Sequence, residues 1–391
     1  MQSKNKKIKI IVAMSGGVDS SVAAALVKQA GLARGRSTAE GFDAVGIFMK
    51  FWKDGKSSDN RCCSVESEKL ARLVAKKVGI PFYVINVEKE FKQKVVDYFL
   101  KEYKKGNTPN PCVVCNKEIK FGFLVKKALS LGADFVATGH YVRTSLANHS
   151  RSAINFFPSA GGPLCLFGQV DQGTAKSSLP RLFMGKDEII DQSYFLWQLS
   201  KEQIKHVLFP VGGYNKPEVR KLAKKFDLPT AETPESQEVC FVQNTTNEFL
   251  NKYLKAKPGK IVNTKGEKVG QHNGLWFYTI GQRRGLEIPQ GPYYVVGKDF
   301  KNNILIVSKD QKDLLKKELI AYNVNWTVPQ KLPINVEVKI RYKSDFAKAK
   351  IFADGKNKVK IIFQKNQRAI TPGQSAVFYK GKELLGGGVI E

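Results

Sequence analysis

The chain has 391 residues, 42% hydrophobic and 10% aromatic, the make-up of a globular protein too long for one core, so two or three domains are expected. Its 64 lysines and arginines against 35 acidic residues give a formal charge of +29, which favours a polyanionic partner. No run reaches about 18 apolar residues, so no membrane span is predicted, and six cysteines without a secretory leader point to thiol chemistry in a cytoplasmic enzyme rather than a disulfide scaffold.

In chain order, Ile8 to Ala13 is an apolar, β-branched run that reads as one buried strand, and Val22 to Val27 is a run of good helix formers. Between them lies Met14-Ser15-Gly16-Gly17-Val18-Asp19-Ser20-Ser21. A strand, glycine turn and helix in this order aim backbone N–H groups and a helix N-terminus at a phosphate. Gly16 and Gly17 permit close approach, Ser15, Ser20 and Ser21 add hydroxyls, and Asp19 can cap the helix or hold a metal-bound water. An ordinary turn is the blander reading, and the register of two glycines with three hydroxyls argues against it. Neither the Walker pattern nor Gly-x-Gly-x-x-Gly occurs, and no lysine sits inside the turn. The stretch resembles the SGGxDS loop of the PP-loop ATP pyrophosphatases, which implies ATP with Mg2+, adenylation of a substrate and release of pyrophosphate.

Asp43 to Phe51, Pro81 to Val87 and Asp134 to Thr138 read as further buried strands. A helix beginning at Ser64 and Glu66 sets Leu70, Leu73, Val74 and Val78 on one face, and Gly79 and Pro81 stop it. This alternation predicts a parallel sheet wrapped by helices, with ligands at the carboxyl ends of the strands, where the glycine loop, Met49 and Gly139-His140 fall. Met49 is a candidate to pack on an adenine ring, though core packing is its commoner fate. Residues 31–41 and 145–180 read as insertions, and Cys165 within the second is incidental.

Thr108 to Phe121 reads TPNPCVVCNKEIKF. Two prolines around Asn110 force an extended approach, and Cys112 and Cys115 then fall one helical turn apart. That spacing alone leaves redox pair, metal ligands and coincidence open. Four-cysteine zinc would need another spaced pair, and Cys62-Cys63 has no spacer. Cys240 follows a loop rich in Pro, Glu, Ser and Thr. Asp187 to Leu199 mixes polar anchors with aromatics, suiting either an RNA face or a buried helix. Asn215 caps a helix to Phe226 that carries Pro217 and Glu218 in its first turn, and its lysines are either tRNA contacts or a solvated face. Lys257 to Leu286 shows short β signals, with Gly281-Gln282-Arg283-Arg284-Gly285 as a candidate phosphate clamp. Near the C-terminus, Ile334, Val336, Val338 and Ile340 alternate with polar residues, and Asp354-Gly355 is the turn of a hairpin presenting Val359, Ile361 and Phe363, which predicts a small antiparallel barrel. Residues 331–391 carry 13 lysines and arginines against 5 acidic residues, suited to phosphate contacts.

SGGVDSSV, GIFMK, TPNPCVVCNKEIKFG, ATGHY, DQSYFL, SQEVCF, YTIGQRRGL and TPGQSAVFY occur in the order found in the tRNA-specific 2-thiouridylases, which the chain resembles from about residue 8 onward. The resemblance implies adenylation of C2 of the wobble uridine in a tRNA anticodon stem-loop, then replacement by sulfur from a donor such as a cysteine desulfurase or sulfur-relay protein. It implies an ATP site of Ala13, Met14, Ser15, Gly16, Gly17, Val18, Asp19, Ser20, Met49 and Gly139. It further implies Cys115 as nucleophile, Cys240 as persulfide carrier, and tRNA contacts at Asn110, Pro111, Cys112, His140, Ile190, Asp191, Gln192, Arg341, Tyr342 and Gln374. Many family members carry aspartate where this chain has Cys112, and a thiol titrating near ~8.5 cannot take over an acid–base role at neutral pH. Two routes stay open: a persulfide with a transient Cys115–Cys240 disulfide, or a [4Fe–4S] cluster on Cys112, Cys115 and Cys240. The implied fold is α/β: a parallel-sheet PP-loop nucleotide-binding domain (1–210), a small central β-rich domain (211–290) and a C-terminal antiparallel β-barrel (291–391).

Overall fold

The computed structural model describes residues 7–32, 42–55, 64–145, 179–234, 239–289 and 291–391. Most of both insertions, Cys62-Cys63, Cys165 and residues 235–238, which include the first three of the SQEVCF stretch, lie outside them. In chain order the elements are β1 (Ile8–Ala13), α1 (Val18–Leu32), β2 (Phe42–Lys50), α2 (Val65–Val78), β3 (Phe82–Asn86) and α3 (Glu88–Phe91), which runs through a π-helical turn into α4 (Asp97–Lys104). Then come α5 (Pro111–Cys115), a π-helical stretch Asn116–Phe123, α6 (Leu124–Ser130), β4 (Phe135–Ala137), β5 (Val142–Ser145), β6 (Arg181–Met184), α7 (Lys201–Lys205), β7 (Val207–Leu208), α8 (Lys216–Lys225) and α9 (Thr246–Tyr253). The rest is β: β8 (Gly259–Asn263), β9 (Lys268–His272), β10 (Tyr294–Asp299), β11 (Ile304–Ser308), β12 (Leu315–Trp326), β13 (Ile334–Lys339), β14 (Ala347–Ala353), β15 (Lys358–Arg368), β16 (Ser375–Lys380) and β17 (Glu383–Ile390).

The chain divides into two compact units. The first comprises 1–94, 112–243 and 382–384. Its centre is a five-stranded sheet ordered β3-β2-β1-β4-β7, with every pairing parallel. The chain steps outward from β1 to β2 and β3, then returns to place β4 on the other side of β1. The switch in direction therefore falls between β1 and β4, where an open α/β sheet forms its ligand crevice. α1 carries Val22, Ala23, Ala24, Leu26 and Val27 at 1% exposure or less. Such a helix, apolar on nearly all sides, sits in the interior. α2 is capped by Ser64 and ended by Gly79 at φ +72°, as the sequence predicts. Its buried face is Ala71, Val74 and Ala75, whereas Leu73, assigned to that face from the sequence, is exposed. Leu73 sits one position, about 100°, away from the i, i+3, i+4 stripe that packs.

The second unit comprises 95–111, 244–381 and 385–391. It holds a four-stranded sheet ordered β10-β11-β8-β9, in which β11 and β8 run parallel. The boundary expected at residue 290 falls inside this sheet, because β10 and β11 pair back onto β8. The pairing partners are too far apart in sequence to leave a local signature. β12, β15, β14, β13, β16 and β17 follow, and β17 pairs with β12 to close an antiparallel barrel. The alternation read in β13 is real: Val336, Val338 and Ile340 enter a core with Ile351, Val359, Ile361, Phe363 and Phe378.

Candidate functional site

The glycine loop leaves the carboxyl end of β1 and turns into α1. Gly16 has φ +79°, and a Cβ there would meet the Ser67 carbonyl oxygen at 2.3 Å. Only glycine supplies both the left-handed backbone and the room. The hydroxyls tie the loop to itself: Ser15 N donates to Ser20 Oγ (3.1 Å), and Ser20 Oγ and Ser21 Oγ donate to the Gly17 carbonyl (3.0 and 2.8 Å). From the other side of the switch point comes Gly139, where a Cβ would lie 2.6 Å from Ser20 N and 2.7 Å from Asp19 C. The end of β4 thus touches the start of α1, and any larger residue at 139 would force the two apart. Backbone N–H groups, hydroxyls and a helix N-terminus at a glycine turn of this kind fit a polyphosphate.

Ala13 ends β1, and Met14 N donates to the Ile47 carbonyl (2.8 Å). Met14 is 3% exposed and Val18 also lies in the core. Met49 is buried at 8% exposure and pairs with Ile85 one residue before β2 ends. Asp19, in the first turn of α1, accepts from Tyr141 Oη (2.6 Å) and from Lys216 Nζ at both carboxylate oxygens (2.8 and 2.9 Å). No motif in the sequence marks Lys216 or Tyr141 itself as functional. The available signal was a cation at the first position of a capped helix, where the macrodipole disfavours it.

His140 follows Gly139 and packs between Phe121 and Phe209, with ring centroids at 5.5 and 6.2 Å. Its Nδ1 lies 2.8 Å from Thr138 Oγ1. Burial, reinforced by the nearby Lys120 charge, holds the imidazole well below its usual pKa of 6.5, so it is neutral at physiological pH. Gln192 is fixed to Tyr141 in both directions, its N donating to the Tyr141 carbonyl (3.1 Å) and its Oε1 accepting from Tyr141 N (3.0 Å). Asp191 is 3% exposed, and its carboxylate accepts from Gly185 N, Ser193 N and Ser193 Oγ, so it shapes the loop from within. Ile190 is half-buried beside it, while Ile189 is 91% exposed. After Gln192 most of the apolar side chains serve the core: Tyr194, Leu196, Trp197 and Leu199 are buried in and after a short 3-10 turn, Ser193–Leu196, while Phe195 is half-buried.

Cys112 and Cys115 occupy one short helix, α5, with Cys112 half-buried and Cys115 at 7% exposure. The π-helical stretch begins directly after Cys115. Gly122 permits it, since a Cβ there would come within 2.6 Å of the Lys117 carbonyl, to which Gln203 Nε2 donates at 3.0 Å. π turns concentrate at functional sites. Asn116, 3% exposed, donates from Nδ2 to the Phe195 carbonyl (3.2 Å), which anchors the residue next to Cys115. Cys240 is half-buried in the same unit, and its neighbours Phe241 and Val242 are buried. Phe241 meets Phe91 edge-on at 5.8 Å. Among the described residues no three His, Cys, Asp or Glu side chains gather as a metal centre would require.

In the second unit Thr108 is a junction. Its N donates to the Pro372 carbonyl (2.9 Å), its carbonyl accepts from Gln374 Nε2 (2.8 Å), and its hydroxyl meets that of Thr279 at 3.2 Å. Gly373 (φ +89°) lies so close that a Cβ would meet Asn107 Cβ at 2.8 Å and Thr108 N at 3.0 Å. The barrel turn 371–374 and the 279–285 loop therefore hold the segment that leads to Asn110 and Pro111. In that loop Gln282 accepts from Thr279 N (3.0 Å) and donates to the Arg284 carbonyl (2.9 Å), leaving Arg283 and Arg284 exposed. Arg341 is exposed and Tyr342 half-buried just beyond β13.

Three family models match in series: the tRNA methyl transferase HUP domain over residues 8–244, the tRNA methyl transferase PRC-barrel domain over 247–309 and the aminomethyltransferase beta-barrel domain over 316–390. Curated relatives match over nearly the whole chain. The tRNA-specific 2-thiouridylase MnmA of Clostridioides difficile (strain 630) is 41% identical over 98% of this chain and 98% of its own. Proteins of the same description from Streptococcus sanguinis (strain SK36) and Halothermothrix orenii (strain H 168 / OCM 544 / DSM 9562) are 42% identical, covering 100% and 98% of this chain and 96% and 99% of their own. Among solved structures, the U34-tRNA thiolase NcsA from Methanococcus maripaludis with its [4Fe-4S] cluster aligns at a TM-score of 0.32 and 16% identity over 63% of this chain and 65% of that one, too slight a likeness to bear on the site. No helix among the described residues is long and apolar enough to cross a membrane.

Proposed function

Because this chain belongs to the tRNA-specific 2-thiouridylases, a family of tRNA sulfurtransferases, we propose that it uses ATP, entering with Mg2+, to adenylate C2 of the wobble uridine and then replaces the activated oxygen with sulfur. The observation that supports this reading is the glycine loop at the β1–β4 switch point, where Gly16 and Gly139 let backbone segments approach closely and the hydroxyls of Ser20 and Ser21 hold the turn at the start of α1. Ala13 to Ser20 and Gly139 bind the nucleotide and Met49 backs its base. The uridine oxygen is a poor leaving group and AMP a good one, so ATP must act before sulfur arrives.

Sulfur then comes from a donor such as a cysteine desulfurase or sulfur-relay protein and rides on Cys240 as a persulfide. Its terminal sulfur attacks C2 and AMP departs. Cys115 thiolate attacks the Cys240 sulfur, leaving the transferred sulfur on the uridine and a Cys115–Cys240 disulfide that an external thiol must reduce. Cys112, placed one turn before Cys115, assists this exchange. The same three thiols suit a [4Fe–4S] cluster by donor chemistry, yet the described residues gather no three-ligand group, so no step is routed through one. Asn110, Pro111, His140, Ile190 to Gln192, Arg341, Tyr342 and Gln374 are assigned to the tRNA, with Asp191 acting through the loop it braces. The base must leave the anticodon stack to reach the thiols. A cytoplasmic location follows from this substrate.

The test is thiolation of unmodified tRNA by the wild type and by Cys115→Ser and Cys240→Ser. Each variant is expected to abolish product, and retained activity in either removes that residue from its role. Anaerobic purification with iron and sulfide assays decides the route: a colourless, iron-free protein that thiolates tRNA excludes the cluster, and stoichiometric iron required for activity overturns the persulfide.

A further inference from the structure

The glycine loop contains no lysine, whereas the Walker-type phosphate loop carries one as a point charge on the β- and γ-phosphates. The fold brings one to the loop from 197 residues away: Lys216 Nζ lies 2.8 and 2.9 Å from the two oxygens of Asp19. Its side chain is only 13% exposed, that of Asp19 30%, and the ammonium also sits 5.6 Å from the centre of the Tyr141 ring. The lysine is rigidly presented. Asn215 and Glu218 form a capping box around it, Pro217 stiffens the same turn, and Lys216 N donates to Asp187 Oδ2 at 3.0 Å. A cation at the first position of a helix opposes the macrodipole. The Asp19 pair compensates for that, and so would any phosphate that replaced Asp19.

We propose that Lys216 is the phosphate lysine of this loop, held by Asp19 until ATP arrives and then transferred to the pyrophosphate end of the nucleotide. The inference rests on the ATP site assigned above. On binding, Asp19 exchanges the ammonium for the cation that accompanies ATP, and Lys216 exchanges the carboxylate for phosphate oxygens, so each charge keeps a counter-charge. When the uridine oxygen bonds to the α-phosphorus, the bond to the bridging oxygen breaks and its electrons leave with pyrophosphate. Lys216 stabilises the negative charge that develops there.

Product inhibition of tRNA-dependent ATP consumption reads this directly, with magnesium pyrophosphate and AMP as separate probes. Lys216→Met is expected to weaken inhibition by pyrophosphate on the order of tenfold, the size of one lost charge-assisted contact, and to lower kcat by about 10²-fold. Inhibition by AMP is expected to stay within about twofold, because AMP lacks the leaving phosphates. Lys216→Arg, which keeps the charge, is expected to recover part of the pyrophosphate term. If both inhibitors weaken equally, Lys216 merely braces the loop and the proposal falls; it falls equally if neither changes. If the wild type itself shows no ATP binding and no inhibition by either product, the ATP site is the reading that fails. Should Lys216→Met not fold, 13C-methylated wild-type protein substitutes: the Lys216 resonance, identified by its loss in Lys216→Arg, must move with pyrophosphate and not with AMP.

Discussion

The glycine loop and the Thr108 junction are built by opposite means. The loop is one contiguous stretch, and most of its hydrogen bonds close within seven residues, from Ser15 to Ser21. The junction draws on three segments: Thr108 takes two contacts from the turn 371–374 and one from Thr279. A local device tolerates little change in its own residues, because every atom is already within contact of the next. A device assembled from distant segments spreads its cost, so single substitutions there act mildly and add up.

That contrast is open to direct attack, beginning where the effect is greatest. Gly139→Ala places a methyl 2.6 Å from Ser20 N, and the loop must shift. ATP-dependent pyrophosphate release is expected to fall by about 10²-fold, while tRNA affinity, measured by filter binding, stays near wild type. An unchanged rate would mean that the geometry of this loop does not matter to the reaction. In the second unit, replacing both Arg283 and Arg284 with alanine is expected to weaken tRNA binding about tenfold and to reduce the slope of log affinity against log salt by about 0.7–0.9 per arginine. A loss of affinity with the slope unaltered would show that these arginines act through the fold rather than on phosphate.

Gln374→Ala removes one of the contacts to Thr108. A loss of about 1 kcal/mol predicts a rise of about fivefold in KM for tRNA with kcat for ATP consumption unchanged. A collapse as large as that of Gly139→Ala would end the contrast between the two regions. The smallest effect is one of pH. The folded pKa of His140 lies below its unfolded value of 6.5 because the ring is buried, so the unfolded chain binds the extra proton first. Stability is unaffected above that value and declines as pH falls below it, by up to about 1.4 kcal/mol per unit, until the folded ring also titrates. Chemical denaturation of His140→Gln from neutrality downward is expected to show a shallower decline than wild type.

The same division explains what the sequence disclosed. The strand, turn and helix of the loop, the Ser64 and Asn215 caps and the alternation in β13 are local patterns, and each is visible as spacing in the chain. Lys216 on Asp19, Thr108 on Gln374 and β11 on β8 join residues far apart in sequence and leave no period to read. Leu73 shows the finer limit, since hydrophobic character alone could not choose between two adjacent faces of α2. The cysteines stand out in the sequence by their type and spacing, while the bracing of Asn116 by Phe195 and of the π turn by Gln203 leaves no such mark.

The most direct measurement is a single-turnover reaction of the purified protein with unmodified tRNA, ATP and a persulfide donor, counting pyrophosphate and 2-thiouridine together by mass spectrometry. The account predicts one pyrophosphate per thiolated uridine, with neither product formed when tRNA or ATP is withheld. Thiolated tRNA made without ATP, or pyrophosphate released at full rate without tRNA, would contradict it.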